Sequence, residues 1–435
     1  MVTYDEAFEL ITKNIKMLDT EERPLQQCLG RVLAEDVCSD LSFPQRDISG
    51  PDGYAVRSAD IQGAGKKNQV ILRIIGTVRA GQMPVRVVKP GTAMRIMTGS
   101  VLPKGADCVV KFEDTDEPIN KSGPNKNNPR EVKIYVSALP GNSVRQARSS
   151  IKKGDALLPK GTVIGPAQIS VLASAGKSRI KVVRQPVVAV IATGDELVGL
   201  GKPLAPGKAY NANTASLAAL ISHYGGKPKV LGIARDKKED LLAKINKAMT
   251  ADMIITTGGV AMGDYDLLRL VVGEIGRIHF SLIRMGPGAG AVFATLRKDT
   301  RNPGKSGVPF FGLAGPPYGC LINVETLVRP ALLKMRGLTD LDHPVVKAVA
   351  VDAMTNTMPA TFAKLTYLEK RNGRYQVRLN VLEDMGVFLS IATANSLTLV
   401  PEGANIKIGD SVSVWPLDWR RDQFLPACIH GKGTA

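Results

Sequence analysis

Phe8, Ile11 and Ile15 recur at helical intervals near the start of the chain, and Thr3 with Glu6 has capping-box spacing. This pattern predicts an amphipathic helix over 3–16. From about 40 to 139 the texture changes to short apolar runs broken by Gly and Pro: 70–75, 85–88, 94–97 and 108–111. Such spacing predicts a small β-rich domain, with 117–130, rich in Pro, Asn and Lys, as an exposed hairpin loop. Residues 165–176 read as a helix.

A strand–helix alternation follows. Strands are expected at 187–192, 230–234, 253–256 and 309–313. Helices are expected at 213–224, capped by Asn213, along the face marked by Leu241, Leu242, Ile245, Ala248 and Met249, and over 320–335. Alternation of this kind implies a doubly wound parallel sheet with helices on both faces. From about 343 to 418 short β-type runs return (345–351, 362–369, 375–379, 397–400 and 412–415), predicting a separate small β domain.

Composition narrows the class. With 44% hydrophobic and 22% charged residues, the 435-residue chain has the balance of a multidomain globular protein. The net charge of +17 favours anionic ligands. The Lys and Arg residues are dispersed, with little aromatic interleaving, which argues against a nucleic-acid partner. Five scattered cysteines, without a CxxC pair, exclude a disulfide framework and fit the cytoplasm. Neither a signal peptide nor a bilayer-spanning run is read, so no membrane association is expected.

Candidate chemistry sits directly after three expected strands. These turns are Thr193-Gly194-Asp195-Glu196-Leu197, then Thr257-Gly258-Gly259 running on to Gly263-Asp264-Tyr265-Asp266, then Gly312-Leu313-Ala314-Gly315-Pro316-Pro317. In an open α/β sheet the crevice beyond the strand C-termini binds ligands, and glycines there let backbone N–H groups approach a phosphate. Glu196, Asp236 and Asp266 are candidate Mg²⁺ ligands beside such a phosphate. Each glycine is equally open to reading as a tight turn, and each acid as a cap or a solvated first-turn residue. In the β-rich segment, Asp52-Gly53 could be a simple turn.

Taken together the motifs are specific. Asp52-Gly53-Tyr54-Ala55-Val56, Arg95-Ile96-Met97-Thr98-Gly99, the Pro103-to-Val110 run, Thr193-to-Leu197 and Gly258-to-Asp266 follow one another in an order and spacing that resemble the MoeA/gephyrin family of molybdopterin molybdenumtransferases. The resemblance extends over nearly the whole chain. It implies a discontinuous linker and dimerisation domain (1–43 and 140–180) and a β-rich lid domain (44–139). It further implies an α/β molybdopterin-binding domain (181–336) and a C-terminal β-barrel domain (337–435).

The activity implied is insertion of molybdate into adenylylated molybdopterin, with Mg²⁺ and release of AMP, by a cytoplasmic homodimer. Molybdopterin adenylyltransferase and molybdoenzymes are the further partners it brings to mind. Asp52, Thr98 and Asp266 are carried over as catalytic. Thr193, Gly194, Glu196, Asn213, Gly258, Gly259, Gly263, Asp264, Gly312 and Gly315 are carried over as substrate-binding, and Glu196, Asp236 and Asp266 as metal ligands.

The chain departs from the family pattern at several of these places. Two lysines expected in the loop 285–290 are Gly286 and Ala289, and the Asn of the third turn is Pro316. Losing two cations weakens an oxyanion site unless another replaces them, and Arg284 is the nearest candidate in sequence. An impaired paralogue that holds molybdopterin or a molybdoenzyme as a scaffold is therefore a second reading. A molybdopterin adenylyltransferase is a third. Molybdate and tungstate are not distinguished by the sequence.

Overall fold

The structure, a computed structural model, describes residues 1–117, 130–259, 267–297, 307–379 and 387–417. The expected hairpin loop therefore falls almost wholly outside the described residues, as do Gly263, Asp264 and Asp266. Two compact units form. One comprises 36–160 with 167–178, and the other 1–35, 161–166 and 179–435.

Helix α1 (Tyr4–Asn14) opens the chain as its pattern predicts. The Thr3 hydroxyl accepts from the Glu6 N–H at 3.2 Å and the Glu6 carboxylate accepts from the Thr3 N–H at 2.8 Å, so two N–H groups that the helix cannot satisfy find partners. Ala7, Ile11 and Ile15 are fully buried in the core of the second unit.

The β-rich unit is built on a five-stranded sheet in the order β4-β1-β3-β2-β5, from β1 (Gly53–Val56), β2 (Val70–Val78), β3 (Thr92–Ile96), β4 (Cys108–Lys111) and β5 (Glu131–Ile134). The run 85–88 is not a strand. Pro84 precedes it, Val85 is almost fully exposed, and Val88 alone turns into the core. Nor is Asp52-Gly53 merely a turn: a Cβ on Gly53 would lie 2.0 Å from the Val110 carbonyl oxygen, so the close approach of β1 to β4 requires glycine.

Beside this contact, buried Tyr54 donates its hydroxyl to the Glu117 carboxylate at 2.6 Å, and the Arg95 guanidinium clasps the same carboxylate at 2.5 and 3.0 Å. Arg95 in turn lies over the Phe112 ring, 4.5 Å from its centroid.

Helix α2 (Pro166–Ser174) stands where a helix is expected over 165–176, and the second unit then begins its alternation with β6 (Val187–Thr193), α3 (Ala212–His223), β7 (Lys227–Ala234), α4 (Lys238–Ala248), β8 (Met253–Thr257) and α5 (Leu267–Ile275). It continues through β9 (Gly276–Phe280), β10 (Val292–Leu296), β11 (Val308–Leu313), α6 (Pro317–Asn323), a π-turn (Val324–Val328) and α7 (Arg329–Met335). The sheet order is β7-β6-β8-β11-β10-β9. The four anticipated strands are mutually parallel. Strands β10 and β9, absent from the sequence reading, add an antiparallel edge. Nearly continuous apolar runs in β6, β8 and β11 follow from burial on both faces.

Five further strands form a β-barrel: β12 (Val346–Ala350), β13 (Thr361–Arg371), β14 (Arg374–Leu379), β15 (Ser396–Val400) and β16 (Ser411–Pro416). Their order β13-β14-β12-β16-β15 is closed by a β13–β15 ladder, which leaves no free edge within the ring. No helix among the described residues is long and apolar enough to cross a membrane.

Burial opposes ionisation of Glu117, but the hydrogen bonds from Arg95 and Tyr54 and the charge of Arg95 outweigh it, holding its pKa below the usual carboxylate value. A lowered folded-state pKa gives stability that is complete above the unfolded-state pKa and lost as pH falls through the folded one. Glu117→Gln should therefore destabilise the β-rich unit at pH 7 by about 1–3 kcal/mol. The gap from wild type should narrow once the pH falls below about 4. Urea titrations across pH read both effects.

Candidate anion-binding site

The register brings the three glycine-bearing turns together. Thr193 pairs with Ala234, Ala192 with Thr257, and Thr257 with Leu313, so β6, β8 and β11 end at one level of the sheet. A cavity of about 620 Å³ opens there, lined among others by Thr193, Glu196, Asn213, Thr257, Gly258 and Gly315.

Glycine is needed where the turns meet. Gly258 and Gly259 both have left-handed backbones, φ +90° and +70°. Their Cβ atoms would lie 2.5 Å from the Thr193 carbonyl oxygen and 2.9 Å from its Oγ1, respectively. A Cβ on Gly194 would strike the Glu196 carboxylate at 2.3 Å, because that carboxylate folds back over the turn. Gly312 lies within β11 rather than at the turn, so Gly315 is the glycine of that segment that lines the cavity.

Asn213 ties the turns to one another. It does not cap α3 as the sequence reading has it. Asn211 does so, its side chain accepting from the Thr214 N–H and hydroxyl, which frees Asn213 to point inward from the first turn. Its Nδ2 donates to Thr257 Oγ1 and to the Gly315 carbonyl, both at 2.7 Å, and Thr257 passes its own proton to the Ala314 carbonyl at 3.1 Å. Since the Thr257 hydroxyl is already a donor, the Asn213 nitrogen must face it. Asn213 Oδ1 is then a buried acceptor with no partner among the described residues. An unpaired buried acceptor is costly unless a ligand donates to it.

The candidate metal ligands are less tightly grouped. Glu196 is on the cavity wall. Asp236 is not, and its Oδ2 accepts from the Asp195 N–H at 3.2 Å. Among the described residues no three His, Cys, Asp or Glu side chains cluster as a metal site. In the β-rich unit Asp52 and Thr98 are side by side: Asp52 Oδ1 accepts from the Thr98 N–H at 2.6 Å and from its hydroxyl at 2.8 Å.

A second cavity, of about 530 Å³, lies between the α/β sheet and the barrel, and Pro316 borders both. Pro287 and Gly288 come from the lysine-poor loop, Ala314 and Tyr318 from the third turn and α6, Lys364 from barrel strand β13, and Ser390 from the helix Val387–Thr393. The cation here is thus Lys364, whose Nζ is 5.2 Å from the Phe362 ring centroid. It was invisible in the sequence because it follows the altered loop by about 75 residues; alternation along β13 was its one signal.

Arg284 does not fill the role proposed for it. Its guanidinium pairs with Glu402 at 2.8 Å, so its charge is already matched on the barrel. Gly286 has its own reason: a Cβ would come within 3.3 Å of Phe362, so β13 packs where a side chain would begin.

A mixed α/β sheet with glycine-bearing turns at one level of its strand ends, joined to a small closed barrel, defines the class as a multidomain α/β protein with a strand-end cavity of the kind that suits anions. Comparison with known proteins narrows this. The MoeA N-terminal region (domain I and II) matches residues 2–176, and the "Probable molybdopterin binding domain" matches 189–334. The molybdopterin molybdenumtransferase of Nostoc sp. is 34% identical, over 94% of this chain and 92% of its own. That of Staphylococcus aureus strain COL is 32% identical, over 94% of each. The crystal structure of the molybdopterin biosynthesis MoeA protein from Pyrococcus horikosii superimposes with a TM-score of 0.78 at 31% identity, covering 96% of this chain and 99% of that one. The chain belongs to the MoeA family of molybdopterin molybdenumtransferases.

Asn213→Ala should release the turns from one another. A loss of about 2–3 kcal/mol of stability is expected, since Thr257 and Gly315 lose a buried donor. Hydrogen exchange should rise in 257–259 and 313–315 while the barrel strands keep their protection. Unchanged exchange in those turns would contradict the hub role.

Proposed function

We propose that this chain inserts molybdate into adenylylated molybdopterin and releases AMP in molybdenum cofactor biosynthesis. The observation that carries the reading is the pair of cavities meeting at Pro316. One has backbone turns suited to a phosphorylated pterin, and the other has a lysine suited to an oxyanion. A phosphoanhydride and an oxyanion repel, so the protein must hold both while offsetting their charge.

In this reading Thr193, Gly194, Gly258, Gly259 and Gly315 form the cradle. Asn213 Oδ1 accepts a donor group of the ligand, and Lys364 neutralises the oxyanion. Gly263, Asp264 and Asp266 lie outside the described residues; they enter this reading, with Glu196 and Asp236 as acids of a metal site, on the family resemblance alone. Glu196, on the cavity wall, is a hard oxygen donor that fits Mg²⁺, which keeps several waters and few protein ligands. When bound, Mg²⁺ would supply charge neutralisation at the phosphates. The reading extends to a cytoplasmic homodimer in which Asp52 and Thr98 also take part in catalysis.

A non-catalytic scaffold was the alternative raised by Gly286 and Ala289. The presence of Lys364 in the second cavity favours the enzyme, because a cation remains where an oxyanion would be held.

Purified protein given adenylylated molybdopterin, Mg²⁺ and molybdate should release AMP and yield cofactor that activates an apo-molybdoenzyme. AMP at the level of the no-protein control would refute the proposal. Lys364→Ala should raise the KM for molybdate about tenfold, the worth of roughly one charge-assisted contact, with the KM for the pterin nucleotide nearly unchanged.

A further inference from the structure

The second cavity is walled by three segments from different parts of the chain: the loop bearing Gly288, the turn at Ala314 and barrel strand β13. All three are fastened to one short helix, α6. Asn323, at its end, is fully buried. Its Nδ2 donates to the Gly288 carbonyl at 3.0 Å, and its Oδ1 accepts from the Ala314 N–H at 3.2 Å. The approach is close, since a Cβ on Gly288 would lie 2.6 Å from the Asn323 amide nitrogen. At the start of the same helix, the Tyr318 hydroxyl accepts from the Leu365 N–H at 2.8 Å, next along β13 from Lys364.

We infer that Asn323 is a positioning residue for the oxyanion cavity, setting its width by spanning two walls, with Tyr318 setting the height of the Lys364 strand. The inference rests on the oxyanion reading given above. A planar amide has its donor and acceptor at a fixed separation, so it holds a carbonyl and an N–H at one spacing. No apolar side chain does this, and replacing Asn323 by one leaves both backbone groups buried without partners. Gly319 reinforces the fit, as a Cβ there would come within 3.2 Å of Ala314 Cβ and 3.3 Å of the Gly288 nitrogen. Glycine at 288 and 319 thus lets two walls close on α6, and Asn323 stops them at a defined gap. A cation on a strand helps an oxyanion only if the opposite wall is at the matching distance.

The test uses the full chain and two ligands. Molybdate and tungstate binding is measured by equilibrium dialysis with elemental quantitation. AMP binding is measured by calorimetry on the same preparations. Asn323→Leu should raise the oxyanion Kd about tenfold, and Tyr318→Phe should raise it about threefold, while AMP binding changes less than about twofold in either. Tyr318→Phe keeps the ring and removes the hydroxyl that accepts from Leu365, so it remains informative if Asn323→Leu does not fold.

Two results would overturn the inference: both variants binding oxyanion as wild type does, or oxyanion and AMP weakening in parallel, the mark of general loosening. Wild type that binds AMP but neither oxyanion would defeat the oxyanion reading itself, and this inference with it.

Discussion

One amide holds the cradle together. Asn213 reaches from the first turn of α3 to the end of β8 and to the turn after β11, donating at 2.7 Å to each. A parallel sheet delivers its strand ends to one level without outside help, but it does not fix the loops beyond them. That task requires a side chain from outside the sheet, buried enough to be rigid and polar enough to pair with backbone. Once its nitrogen is committed, its oxygen is left as a buried acceptor with no partner among the described residues, in a residue that lines the cavity.

The glycines follow from the same geometry. Gly258 and Gly259 are packed against Thr193, and Gly53 against Val110, at separations no Cβ tolerates. Three of the signature positions are therefore set by backbone approach. Their identity says that two segments touch, and ligand binding is what the approach makes possible. The same distinction applies to the lysine-poor loop. Gly286 gives up a side chain where Phe362 packs, Gly288 leaves room for Asn323, and a cation is supplied from β13 instead.

Much of this was legible from the residues. Three of the four parallel strands, β6, β8 and β11, announced themselves as buried aliphatic runs, α1 by its capping box, and the three turns by glycines placed after strands. What escaped notice depended on distant packing. Strand β9 has mixed polarity because it forms the sheet's edge, and the short apolar run of β10 lay outside the strand–helix alternation. The run 85–88 looks like a strand but buries Val88 alone. Of the two asparagines at the head of α3, Asn211 and not Asn213 is the cap, which periodicity cannot tell apart at a separation of two. Lys364 and Asn323 become site residues only when the barrel and α6 meet the loop at 285–290, a long-range event of which alternation along β13 is the one local trace, for Lys364. Arg284, the local candidate, is neutralised by Glu402 for the same reason.

The central claim is that adjoining cavities hold a nucleotide-linked pterin and a metal oxyanion, with Lys364 as the cation. Crystals soaked with AMP and tungstate test it most directly, because the tungsten anomalous signal locates the oxyanion without ambiguity. The account predicts a single strong peak within hydrogen-bonding reach of Lys364 Nζ, with AMP phosphate against the Gly258 and Gly315 turns. A tungsten peak elsewhere, or AMP bound outside those turns, would contradict it.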